Sequence, residues 1–214
     1  MGATMFSINQ PGLLGVDIGE TAVRVIELGR RRGVLYCRHC GMAALAPGVL
    51  VDGNIDDIDL LAASVRRACQ ASGSRCRRAA LAMPLDSLIT QTIRLPAGLP
   101  EEQLEILVEL EAVHYIPFTI EDASLDFCIL GPAPASPHGS EPGGAEIEVL
   151  LVAARRAGVQ RRLDAAASAG LQAVVMDSEA LALQAGMTHG GWQALPDGAA
   201  YQLAWGLALH GFAR

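Results

Sequence analysis

The chain has 214 residues, 51% of them apolar and only 18% charged, which is enough hydrophobic material for a packed core and rules out intrinsic disorder over most of its length. Its 23 acidic and 16 basic residues leave a formal net charge of −7, the reverse of the basic excess of a duplex-DNA binder, so no nucleic-acid partner is expected. Every basic residue is arginine, and the absence of lysine removes Schiff-base chemistry and a phosphate-loop lysine.

Residues 1–6 lack a basic region followed by an apolar one, so no secretory signal is expected there. Phe6 stands where a myristoylation site needs Ser or Thr. No stretch approaches the ~18 uninterrupted apolar residues of a spanning helix. Five cysteines, at 37, 40, 69, 76 and 128, are an odd number and read as reduced thiols of a cytoplasmic protein.

Residues 13–16 form a short apolar run closed by Asp17-Ile18-Gly19, a buried strand entering a tight turn. Residues 23–28 alternate apolar with polar and give the second strand of a hairpin turned at Gly19-Glu20-Thr21. A turn is expected at 29–33 and a third, less cleanly alternating strand at 34–42. Asp56, Asp57 and Asp59 crowd the front of a helix carrying Leu61, Val65, Ala68 and Cys69, with Gly73 as its stop. Residues 78–83 are a fourth strand.

The pattern then changes. Residues 88–95 are rich in β-branched side chains between Pro84 and Pro96. Pro100 suits a first helical position, and a helix is expected to run on to about Ile116, where Pro117 stops it. Its apolar residues cover more than one face, which predicts packing on two sides. Strands follow at 124–130 and 146–153, joined by a loop of Gly, Pro, Ser and Ala over 131–145. Beyond them come a helix at 159–169 capped by Gly170, a strand at 172–176, a short helix from Ser178, loop-like residues 186–198, and an apolar closing helix at 199–212. With the strand-helix-strand-strand segment set aside, the order is β-β-β-α-β-α-β-α, an α/β fold on a mixed sheet.

Residues 15–23, Gly-Val-Asp-Ile-Gly-Glu-Thr-Ala-Val, carry the sharpest chemical signal. A glycine turn lets backbone N–H groups approach a phosphate, Thr21 adds a hydroxyl, and Asp17 at a strand end could hold Mg²⁺ through water. The same nine residues also describe a tight hairpin in which Asp and Gly only make the turn. Cys37-Arg38-His39-Cys40 has half the spacing of a zinc knuckle, but Cys69 and Cys76 do not complete four converging ligands, so strand thiols are expected and no metal site. His114 reads as a cap or surface residue. The arginines at 75, 77 and 78, and those at 155, 156, 161 and 162, read as solvated faces, with an anionic membrane surface or an acidic partner as the alternative.

The element order, opened by a DIG-type hairpin, resembles the first lobe of actin-like ATPases, an RNase H-like fold, and the inserted segment resembles the module that FtsA carries in that lobe. The wording is closest to the PilM family of type IV pilus assembly proteins: LLGVDIGETAVRVIEL resembles its opening hairpin, IRLPAGLPEEQLEILVELEAVHYIPF its inserted helix, and LDFCILGP with EVLLVAARRAGVQRRLDAAASAGLQAVVMDSEALAL its following strands and return. AAYQLAWGLALHGF resembles the end of the family protein. The resemblance implies a first subdomain (1A) begun at 12–87, an inserted module (1C) at 88–155, a return to 1A at 156–186 and a carboxy-terminal helix at 199–214 docked on 1A.

Family members carry a second lobe between the segments matched by 178–181 and the closing helix, where this chain has only loop-like residues. The actin-type site is a cleft between two lobes, so the resemblance implies at most half a nucleotide site, made of Asp17, Gly19, Glu20 and Thr21, with ATP and Mg²⁺ weakly held if at all and no catalysis. It further implies that a groove between the first lobe's core and the insert receives the cytoplasmic tail of the membrane protein PilN, with Glu111, Tyr115, Ile116, Pro117 and Phe118 as its lining. The bottom-up alternative is that Tyr115 and Phe118 only fill a seam between modules.

The expected function is a cytoplasmic adaptor of type IV pilus assembly, peripheral to the inner membrane through its partners, which are a PilN-like tail and other inner-membrane pilus assembly proteins. An actin-like ATPase completed by another chain, and the actin-like cytoplasmic component of type II secretion, are the competing readings.

Overall fold

The computed structural model describes residues 12–51, 53–134 and 145–212. The amino-terminal segment read for targeting signals, most of the loop read at 131–145 and the last two residues lie outside them. The chain divides into two compact units, Met1–Leu85 with Gln160–Arg214, and Asp86–Val159.

In the first unit, β1 (Leu14–Ile18), β2 (Ala22–Arg31) and β3 (Val34–Ala44) form an antiparallel meander. A two-residue hairpin follows, β4 (Leu50–Val51) and β5 (Asn54–Ile55), and then α1 (Ile58–Ser72) and β6 (Arg78–Met83). After the second unit the chain returns through α3 (Arg156–Ser168), β10 (Gln172–Ser178), α4 (Glu179–His189) and α5 (Gln202–Leu209). The sheet order is β10-β6-β1-β2-β3, with β6 parallel to both β1 and β10. This is the mixed α/β sheet that the element order predicts.

Why β1 occupies the centre follows from its composition. Leu14 and Val16 face α1 and α3 in one cluster with Val23, Val25, Leu61, Val65, Ala165 and Ala166. Gly15 faces α5, where a Cβ would stand 1.8 Å from the Ala204 carbonyl oxygen, so the helix axis comes within backbone contact of the sheet. Ile26 and Leu28 of β2 complete that second face with Trp205 and Ala208. The sheet is thus covered on both sides.

Helix ends obey local chemistry. Asp57 accepts a hydrogen bond from the Leu60 N–H at 2.8 Å as the amino-terminal cap of α1, and Gly73, at φ 71°, closes it in the left-handed region. Ser178 caps α4 by accepting from the Leu181 N–H. The uneven alternation of β3 has a cause: Glu27 pairs with His39 and Leu28 with Cys37, so Arg38 is the extra residue of a bulge. The bulge returns Cys37 and Cys40 to one face, beneath α5 with Trp205.

The sequence reading needs correcting at several places. The turn expected at 29–33 narrows to Arg32 and Gly33, because β2 runs on to Arg31. Residues 186–189, read as loop, are the end of α4: a Cβ on Gly186 would meet the Gln202 carbonyl oxygen at 2.5 Å, so this glycine serves the α4–α5 contact and does not break the helix. The closing helix is α only over Gln202–Leu209, with 3-10 turns at Gly198–Tyr201 and His210–Phe212.

The second unit is a three-stranded antiparallel sheet, order β7-β9-β8, from β7 (Leu88–Pro96), β8 (Ala123–Pro132) and β9 (Glu146–Arg155), with α2 (Glu101–Ala112) on one face. Leu104, Val108 and Ala112, four apart, pack on Ile93, Leu95, Val149 and Leu151. The helix ends at Ala112, not near Ile116. The N–H groups of His114 and Tyr115 reach back only three residues, to Glu111 and Ala112, and Pro117 disfavours a helical residue before it.

Candidate functional site

Two places emerge, one in each unit. At the carboxyl end of β1, Asp17 is 6% exposed and pairs in register with Arg24 of β2, whose Nη1 lies 3.3 Å from Oδ2. Burial raises the Asp17 pKa to about 6, overriding the nearby Arg24 guanidinium, and the field of Glu179 adds to the rise. The turn is closed internally: the Gly19 N–H donates to the Ala22 carbonyl at 3.1 Å, and the Thr21 carbonyl accepts from the Leu45 N–H at 2.9 Å. Glu20 and Thr21 project into solvent. A Cβ at Gly19 would sit 3.1 Å from Arg24 Nη1 and 3.3 Å from the Ala22 oxygen, so any side chain here would be tight against both.

Three residues that sequence reading did not assign to this end of the sheet belong to it. Arg162, buried at 3%, donates its Nε to the Ala82 carbonyl and its Nη2 to that of Gly53, and burial lowers its pKa. Glu179, the first residue of α4, influences both Asp17 and Arg162. Asp177 accepts from the Ser178 N–H and lies 2.7 Å from His210 Nε2, which raises the histidine's pKa.

At Asp17 one carboxylate oxygen faces Arg24 and the side chain is buried, which restricts the approach of a hydrated magnesium ion. Among the described residues no group of three or more His, Cys, Asp or Glu side chains could hold a metal ion. Cys37 and Cys40 are free thiols, the former pushed up to about 12 by burial and by its neighbour. The expectation of a solvated face holds at Arg155, Arg156 and Arg161, which are exposed, and fails at Arg162, which is buried. Arg156 donates to the Ala123 carbonyl, Arg161 to those of Ile55 and Asp56, and Arg155 lies over the Phe118 ring at 4.5 Å. Each guanidinium finds a partner remote in sequence.

In the second unit, the turn after α2 separates the five residues read as a peptide site. Ile116 is buried against Ala123 and Ala153 and belongs to the core. Phe118 is half-buried beneath Arg155, and Glu111 is half-buried at the helix end. Tyr115, 41% exposed, and Pro117 face solvent. Beside them α2 presents Ile106, Leu110 and Val113, all more than half exposed. Their spacing of four and three defines the second apolar stripe that the sequence pattern contains, but the packing on two sides expected of it is not seen, since no described residue covers it.

The family model of type IV pilus assembly protein PilM matches residues 15–209. Among solved structures, the chain is similar to the PilM-PilN type IV pilus biogenesis complex with a TM-score of 0.71 and 27% identity, over 82% of this chain and 49% of that one. The chain therefore spans about half the length of that relative. Looser likenesses are to the cytoplasmic domain of EpsL, an inner-membrane component of the Vibrio cholerae type II secretion system (TM-score 0.49, 17% identity, 80% of this chain and 58% of that one), and to a Bacteroides thetaiotaomicron protein with an actin-like ATPase fold (0.39, 12%, 85% and 57%). The element order, the sheet of the first unit and the reach of the family match lead to one assignment: this chain belongs to the PilM family of type IV pilus assembly proteins, with an actin-like fold.

Proposed function

We propose that the chain is a non-catalytic adaptor of type IV pilus assembly, which takes the cytoplasmic tail of a PilN-like inner-membrane protein on the surface around Tyr115 and Pro117. Support comes from the relative described in complex with PilN and, above all, from one observation: Tyr115 is 41% exposed beside exposed Pro117 and Val113 at the acidic end of α2. An aromatic ring with open apolar neighbours and adjacent carboxylates suits an extended segment bearing apolar and basic side chains. Glu111 supplies the nearest carboxylate, and Phe118 under Arg155 fixes the turn from below.

Hydrolysis of ATP is left out of this reading. The Asp17 carboxylate serves Arg24, and the Gly19 N–H serves its own turn, so Glu20 and Thr21 are what the hairpin offers to a phosphate. No helix among the described residues is long and apolar enough to cross a membrane. Attachment to the inner-membrane machine, on the cytoplasmic side, comes through the partner's tail.

The test is a titration of a labelled PilN-tail peptide into the chain and its Tyr115→Ala variant. Truncating a central aromatic anchor is expected to weaken binding on the order of 30-fold. Because Tyr115 is exposed, the melting temperature should stay unchanged. Equal affinity in both proteins would remove Tyr115 from the site.

A further inference from the structure

The end of the first unit away from Asp17 concentrates arginine. Residues 28–51 and 60–85 carry nine of the sixteen arginines and not one Asp or Glu, in a chain whose net charge is −7. The amino-terminal ends of β1 and β6, the close of α1 at Gly73 and the β2–β3 hairpin all meet there. Some of these arginines have internal work: Arg66 and Arg67 donate to the Ser168 and Ala44 carbonyls, and Arg38 pairs with buried Glu27 at 3.4 Å. Ser74 Oγ also donates to Glu27, so that carboxylate is satisfied from two sides. Arg31, Arg32, Arg75 and Arg78 stand exposed.

A cavity of about 560 Å³ opens at this end, lined by Arg38, His39, Arg75, Arg77 and Arg78 around Glu27. The hairpin continues past it. Arg31 pairs with Val34 and Gly29 with Tyr36, on the sheet face that also carries Glu27, since side chains two and four apart on a strand share a face. Val34 is 68% exposed and Tyr36 46%. Tyr36 lies flat across Gly29, where a Cβ would come within 2.6 Å of the ring, so the tyrosine is held in place and not free to fold inward.

We propose that this end of the first unit is a docking face for an anionic phospholipid surface. Charge complementarity favours it: among the described residues lining the cavity the one carboxylate is buried Glu27, amid exposed arginines, and apolar and aromatic side chains stand at the tip of the hairpin beyond. Guanidinium groups bind phosphate oxygens in pairs, and a tyrosine rests with its ring among acyl carbons and its hydroxyl among headgroups. A purely electrostatic acidic-peptide site has no use for Val34 and Tyr36 standing open at the leading edge. The face is built from residues of the first unit and the Tyr115 surface from residues of the second, so each reading has its own test.

The experiment is flotation of the full chain with vesicles of phosphatidylcholine alone and of phosphatidylcholine with phosphatidylglycerol. Binding is expected only to the phosphatidylglycerol vesicles and is expected to fade at ~0.5 M salt. The triple variant Arg31→Gln, Arg32→Gln, Arg75→Gln is expected to lose about 100-fold in partitioning, since each arginine near such a surface contributes roughly five-fold. A melting curve matched to the parent establishes that the variant is folded. Should it be unfolded, Val34→Ser, at an exposed position, replaces it and is expected to weaken vesicle binding at fixed charge. Equal partitioning of parent and folded variant, equal binding to both vesicle types, or tighter binding to a polyglutamate peptide than to vesicles would each overturn the proposal.

Discussion

Gly206 of α5 and Ala182 of α4 meet more closely than any residue with a β-carbon permits: a Cβ at 206 would stand 1.7 Å from the Ala182 carbonyl oxygen. The two helices touch backbone to backbone, which lets Trp205, Leu207 and Ala208 bury completely on either side. Gly206→Ala must therefore push the helices apart. The expected cost is about 3 kcal/mol or more, beyond the usual range for overpacking because backbone cannot swing aside as a side chain can. Gly211→Ala is the control, since the nearest atom there is the Leu13 Cβ at 3.1 Å. Urea denaturation of the two variants measures the difference.

Asp17 makes stability depend on pH. Its folded pKa, about 6, lies above the ordinary 3.8 because burial disfavours the charge. The folded state thus holds a proton that the unfolded chain releases, so this group's contribution is fully present below pH 3.8 and is lost as pH rises through 6. The loss is on the order of 3 kcal/mol. Asp17→Asn is expected to flatten the melting temperature between pH 4 and 6, as thermal scans in that interval will show.

The pair of His210 and Asp177, 2.7 Å apart, acts at higher pH. The hydrogen bond to Asp177 raises the histidine's pKa above 6.5, so the stabilisation is complete below that value and disappears as pH climbs through the raised one. In Asp177→Asn the dependence above pH 6.5 is expected to vanish. An NMR titration of the His210 ring reads this directly, with its midpoint moving downward in the variant.

Arg162 is expected to be among the most sensitive charged positions. It bridges the Ala82 and Gly53 carbonyls from a buried site. Arg162→Met leaves both oxygens without that donor and should cost about 2–4 kcal/mol. Arg162→Lys should recover only part, because a single ammonium lacks the planar fork that reaches both. Chemical denaturation of the two variants ranks them.

Much of this molecule was legible in its sequence because its punctuation is local. The strand at 78–83 was read to the residue, and Gly73 closes α1 as its position suggested. The α/β class and the inserted strand-helix-strand-strand segment followed from periodicity and order. What stayed hidden was decided by residues distant in the chain. Gly186 reads as a breaker until the Gln202 carbonyl beside it is known. Arg162 reads as a surface charge until two carbonyls about 80 and 109 positions away are seen to need it. The candidate sites divide in the same way. Tyr115 and Pro117 are exposed, whereas Ile116 between them is core, a distinction set by the turn after α2 and invisible in a run of apolar letters.

The central claim, an adaptor that takes a peptide and does no nucleotide chemistry, is tested most directly by calorimetry on the intact chain with two titrants, the PilN-tail peptide and ATP with Mg²⁺. Saturable heat is expected from the peptide at micromolar concentrations, where ~8 kcal/mol of binding free energy would lie, and no saturable heat from the nucleotide over the same range. Micromolar ATP binding with a silent peptide would contradict it.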